Sequence, residues 1–218
     1  MPNQTKLLLK GNQMTGWHKY RLGILVLILF FTSVIFAHAE VVFQTKVSKL
    51  GMGNMDYGKG KSPDEIVEVV LPGQLYNPSK KISVNKLVAG KRNTLEEAFE
   101  ADIAAMKSDD IEQILASWHP SERQELKRFL LDVNIRKGNN LWISKHPLLE
   151  IQGLVEYKGM RLLLVKNDHL VFTFKQHGNK WFRTNALSGD DGFDLIFSAW
   201  KDGGKVFQTK LIKQASSK

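Results

Sequence analysis

Leu149-Glu-Ile-Gln-Gly-Leu-Val-Glu-Tyr157 alternates, with Leu149, Ile151, Gly153, Val155 and Tyr157 against Glu150, Gln152, Leu154 and Glu156. A period of two belongs to an extended chain with one drier face. Lys158-Gly159 reads as a turn, and Met160–Lys166 as a second strand. Asn167-Asp168 then turns into Leu170–Gln176, and His177-Gly178-Asn179 into Lys180–Leu187. Short strands joined by short turns predict an antiparallel meander.

Upstream the period lengthens. Thr94-x-x-Glu97 has the form of a capping box, and Leu95, Ala98, Phe99, Ile103 and Met106 follow helical spacing on one face. Ser108-Asp109-Asp110 interrupts that helix and starts another, whose apolar face is Ile111, Ile114, Leu115 and Trp118. His119-Pro120 ends it, because proline disfavours helix in the residue before it. Ser121-x-x-Gln124 predicts a third helix with Leu126, Phe129, Leu130 and Val133, stopped at Lys137-Gly138. Helices followed by a meander make an α+β fold, in which the drier sheet face gives the helices a surface to cover. Residues 93–200 are the expected domain. Gly189-Asp190-Asp191-Gly192-Phe193-Asp194 reads as a turn before a last strand or short helix, Phe193–Trp200; three carboxylates fall short of a calcium loop.

Working outward, residues 40–92 are rich in Gly, Lys, Asn, Ser and Pro and predict an extended basic arm. Within it Val67–Leu71 is either one strand or the end of a helix, stopped by Pro72-Gly73. Residues 201–218 predict a basic tail. Val42-Phe-Gln-Thr-Lys46 recurs as Val206-Phe-Gln-Thr-Lys210, which suggests two similar edge strands or two sites of strand addition. The first 39 residues have the three parts of an export signal: Lys6, Lys10, Lys19 and Arg21; an uncharged run, Leu22–Ala37; and Ala37-His38-Ala39. Cleavage would leave Glu40 first and a periplasmic or secreted chain. Retention would leave an inner-membrane anchor through Leu22–Ala37, with Met1 or Met14 as the start.

TLEEAFEADIAAMKSDDIEQILASWHPS (residues 94–121) followed by HLVFTFKQHGNKWFRTNAL (residues 169–187) resembles the nuclear transport factor 2-like superfamily, the ketosteroid-isomerase-like or cystatin-like roll. The resemblance covers about residues 93–188. It implies helices packed in a curved antiparallel sheet, a cone-like roll, in a secreted bacterial member. Relatives of that kind are either isomerases and lyases or binding and assembly modules. No family catalytic residue maps onto this chain.

The 218 residues contain no cysteine, which excludes disulfides, thiolate metal sites and cysteine nucleophiles. No two histidines have helical ligand spacing, so no metal site is expected. No nucleotide loop or nucleophile elbow is present, and no cofactor is expected. If the sheet encloses a cavity, Gln152 and Arg183 are its polar candidates, and Trp118, Trp142 and Tyr157 its walls. His146, before Pro147, is a further candidate. Asp168 and His169 fall on a turn and read as an acid shaping it beside a solvated histidine.

The net charge is +9, but it is unevenly spread. Residues 93–200 hold thirteen basic and sixteen acidic side chains, whereas residues 40–92 hold nine and five. A nucleic-acid-binding domain would carry its positive charge on the folded face, so no nucleic-acid partner is expected. The expectation is a non-enzymatic envelope protein that contacts a partner protein, a polysaccharide or an acidic surface, with a dimer compatible; the alternative is a small-molecule isomerase or lyase.

Overall fold

The computed structural model describes residues 39–51, 55–87 and 90–209. Leu22–Ala37 lies outside them, as does the tail from residue 210. No helix of the described residues is long and apolar enough to cross a membrane.

The fold is α+β. Its strands are β1 (Glu40–Lys46), β2 (Ile66–Ser83), β3 (Leu148–Tyr157), β4 (Met160–Val165), β5 (Leu170–His177), β6 (Lys180–Arg183) and β7 (Lys205–Gln208). They form one antiparallel sheet in the order β6-β5-β4-β3-β2-β1-β7. The helices are α1 (Met55–Gly58), α2 (Leu95–Ser108), α3 (Ile111–Ser117), α4 (Arg123–Leu130), α5 (Val133–Lys145) and α6 (Asp191–Lys201).

The sheet is covered on both faces, and β4 states why. Leu162 and Leu164 pack with Leu195, Ile196 and Ala199 of α6. Leu163 and Val165 pack with Phe99 and Ile103 of α2 and Ile143 of α5. All four are fully buried. A strand dry on both faces reads as a continuous apolar run rather than an alternating one, as in Leu162-Leu-Leu-Val165. In β3 the alternation changes sides partway. Ile151 pairs with Val165 but Gly153 pairs with Leu164, so one extra residue stands in β3. Such a bulge swaps the faces of all that follows. Leu149 and Ile151 therefore face α2, while Val155 faces α6.

Residues 40–92 are not an arm laid over the domain; they supply β1 and β2, interior strands of the sheet. Pro72-Gly73 does not stop β2. Residues 66–72 pair with β1 and residues 73–83 pair with β3, so the proline stands at the seam of two ladders. Its missing N–H is tolerated there. Gly73 and Gly153 let the two strands close up: a Cβ on Gly73 would stand 2.5 Å from the Leu154 carbonyl oxygen, and one on Gly153 2.8 Å from that of Gln74. The basic tail likewise begins in structure, as β7. The recurring Val-Phe-Gln-Thr-Lys segments pair with each other, Val42 opposite Phe207 and Phe43 opposite Val206. Of these two strands β7 is an edge, and β1 lies between β2 and β7.

The caps decide the helix ends. Thr94 and Glu97 form the reciprocal capping box. Asp110 caps α3 by accepting from the N–H groups of Glu112 and Gln113, while Asp109 closes α2 in the left-handed region. Ser121-x-x-Gln124 forms no box. Instead the predicted third helix divides at Leu131-Asp132, where Asp132 accepts from the Asn134 N–H at 2.8 Å. α5 then runs through Gly138 to Lys145. Phe193–Trp200 is helical, within α6, and Asp190 caps it.

Candidate functional site

A carboxylate lies in the apolar stripe of α2. Asp102 follows Ala98 and Phe99 by four and three residues and is only 1% exposed. Its Oδ1 lies 2.7 Å from Ser117 Oγ, which is also 2.8 Å from the Ile114 carbonyl oxygen. Ser117 has one hydroxyl proton and two oxygens to give it to. It donates to Asp102 Oδ1, with the Ile114 carbonyl oxygen as its second acceptor. Burial pushes the Asp102 carboxyl above the usual range, against the opposing pull of Arg183, the Ser117 bond and Arg92.

Arg183 ends β6 and points to the same face. Its guanidinium lies 4.2 Å from the ring centre of Phe172, 5.8 Å from Trp118 and 6.0 Å from Phe174. Its Nη1 is sealed from solvent with no hydrogen-bond partner among the described residues. It makes no ion pair within 4.0 Å there either. Burial lowers its affinity for its proton, while Asp102 and Glu122 raise it; an arginine so placed stays charged.

Two strapping contacts hold Trp118 over this arginine. The His119 N–H donates to the Arg183 carbonyl oxygen at 2.8 Å, and Trp118 bridges to β6. Arg92 and Arg123 donate to the last carbonyls of α3, at Ala116 and Trp118, where cations suit the helix dipole. His119 accepts from the Ser121 N–H through Nδ1. Burial depresses its pKa, and Lys175 adds to the effect.

Between α2, α3, α4, α5 and β5–β6 this leaves a pocket of about 300 Å³. Asp102, Trp118, Asn139, Trp142, Phe172 and Arg183 line it, with aliphatic side chains of the helices. That volume is enough for one small ligand. A wider cleft of about 550 Å³ lies beyond Trp118, against Glu122, Glu125 and Phe129. Its Glu122 is already taken by the Thr184 hydroxyl and the Asn185 N–H.

Of the residues singled out from sequence, Trp118, Trp142 and Arg183 come together in the smaller pocket. The other three do not line it. His146 caps α5; its Nδ1–H donates to the Trp142 carbonyl oxygen at 2.8 Å, and its ring lies 4.9 Å from that indole. Gln152 sits in the β3 bulge and donates to the Tyr76 carbonyl oxygen at 3.1 Å. Tyr157 lies past the bulge on the α6 face, donating to Asp190 Oδ1 at 2.8 Å. Burial and that carboxylate push its phenol up to about 12. Asp168 accepts from the Trp142 indole at 2.8 Å and so fixes one wall from the turn. Asp102 and Ser117 were not singled out; the available signal was an acid at a stripe position of α2. Among the described residues no cluster of His, Asp or Glu could hold a metal ion.

No protein-family model matches this chain, and no curated protein or solved structure does either.

Proposed function

We propose that this chain is an exported, non-enzymatic binding protein of the cell envelope, which holds a small ligand, or the end of a partner molecule, in the Asp102–Arg183 pocket. One observation carries the reading: the Arg183 guanidinium, whose buried Nη1 has no acceptor among the described residues, borders a pocket of ligand size with aromatic walls. Few polar groups in a mostly apolar cavity give orientation and selectivity. The export signal supports the compartment, and a partner protein, a polysaccharide or an acidic surface remains the class of partner; self-association into a dimer is compatible. The nuclear transport factor 2-like reading draws support from helices followed by a meander within residues 93–188. β1 and β2 precede that stretch, and α6 covers the other sheet face, which departs from a simple cone.

The test is a thermal melt of the purified chain against chemically sorted sugars, acids and short peptides. At least one class should raise the melting temperature of the wild type and not of Trp118→Ala. A response that survives equally in Trp118→Ala, or none at all, counts against the reading.

A second reading, an isomerase or lyase, has its own observation. Asp102 is a carboxyl held above its ordinary pKa inside a pocket, as a general acid or base requires. Under it, Asp102→Asn abolishes turnover and leaves substrate affinity in place. N-terminal sequencing of the exported chain, with Glu40 expected first, tests the compartment.

A further inference from the structure

We propose that the pocket takes a small, flat, apolar monocarboxylate, its carboxylate at the guanidinium of Arg183 and its body between Trp118, Trp142 and Phe172. This rests on the reading of the pocket as a ligand site and names the ligand class.

The geometry carries the charge assignment. Aromatic rings lie over the guanidinium of Arg183, and its buried Nη1 has no acceptor among the described residues, so its charge is left for a ligand to neutralise. A guanidinium offers parallel N–H donors, which match the two oxygens of a carboxylate better than any single acceptor. The neighbouring acid does not supply them, since Arg183 has no ion pair within 4.0 Å among the described residues. Asp102 instead faces Ser117 Oγ at 2.7 Å, and burial favours its neutral carboxyl over the charged form. Among the described residues, Arg183 is the one Lys or Arg side chain lining the pocket. A monoanion neutralises it. A dianion would leave a surplus charge buried, and a cation would bury a second positive charge. The walls set the body: rings stack on flat apolar surfaces, and about 300 Å³ admits a single ring with a short chain.

The probes are 3-phenylpropionate, 3-phenylpropionamide and 3-phenylpropylamine, which share a body and differ in the head. Binding is read by tryptophan emission and by calorimetry on the full chain. The acid should bind about tenfold or more tighter than the amide, and the amine should not bind. Arg183→Gln should bring the acid-to-amide ratio to about one, with the amide affinity kept within about threefold. Asp102→Asn, which retains an acceptor for Ser117 without a charge, should keep the preference for the acid. Should Arg183→Gln fail to fold, Arg183→Lys keeps the charge without the fork, and the preference should shrink without reversing.

An amide that binds as well as the acid, or an amine that binds best, overturns the carboxylate assignment and leaves the pocket reading standing. If none of the three binds, or all bind Trp118→Ala equally, the pocket reading falls as well.

Discussion

Asp102 is a buried acid whose consequences reach both stability and chemistry. In the unfolded chain its carboxyl titrates at an ordinary value; in the fold, burial holds the proton to higher pH. Between those two values the folded state binds more protons than the unfolded one. Stability from this group therefore falls as pH rises through that window, then levels off above it. Asp102→Asn lacks the titration. Urea melts from about pH 4 to about pH 8 should show the variant gaining on the wild type across the window; parallel curves would show the acid to be solvated. Asp102 was legible in outline, because an acid three residues after Phe99 occupies a position of the apolar stripe. What made it hard to see is that local spacing marks a face without saying whether that face meets a core or a cavity.

At the scale of elements, side-chain caps and strand pairing decide where helices end and which way strand residues point. Asp132 splits what reads as one helix into α4 and α5. Asp132→Ala should cost about 1 kcal/mol in a denaturant melt. Gln124→Ala, at the exposed position where a box was expected, should stay within about 0.5 kcal/mol. The meander was legible because hairpin turns and alternation are local signals. The places of Gln152 and Tyr157 were not, because the bulge opposite β4 is a property of pairing, and it reverses the sides after Ile151. The crossing of β2 and β3 is equally invisible in one strand alone. Gly153→Ala would drive a Cβ to 2.8 Å from the Gln74 carbonyl oxygen and 2.7 Å from the Leu75 side chain. A loss of about 1–3 kcal/mol is expected; an unchanged melt would mean that the crossing opens freely.

For the molecule as a whole, the basic flanks change meaning. Charge and glycine content make residues 40–92 look like a flexible appendage, yet they include Val41, Phe43 and Val67, all in the core packed on α6. Val41 and Phe43 in β1 and Val67 in β2 are a weak signal, since the eighteen residues of β2 also contain Pro72, Pro78, Lys80 and Lys81. Deleting residues 40–92 would remove two interior strands and report only unfolding. Point changes at the pocket are the informative tests. The same reasoning applies to the other end. A chain cut after Gly204 should melt lower and scatter more light than one cut after Thr209, because it bares the outer side of β1.

The pairing of β1 with β7 also sets an order of events. Gln44 meets Lys205, and Val41 meets Gln208. During synthesis β1 and β2 are made before the other strands and can form their hairpin, but the second hydrogen-bonding edge of β1 waits for β7, the last strand of the sheet to be made. Contacts of such separation close slowly, and an edge left waiting is where nascent chains stick to one another. The sheet therefore cannot close until β7 is available, and a chaperone that shields β1 can act until then.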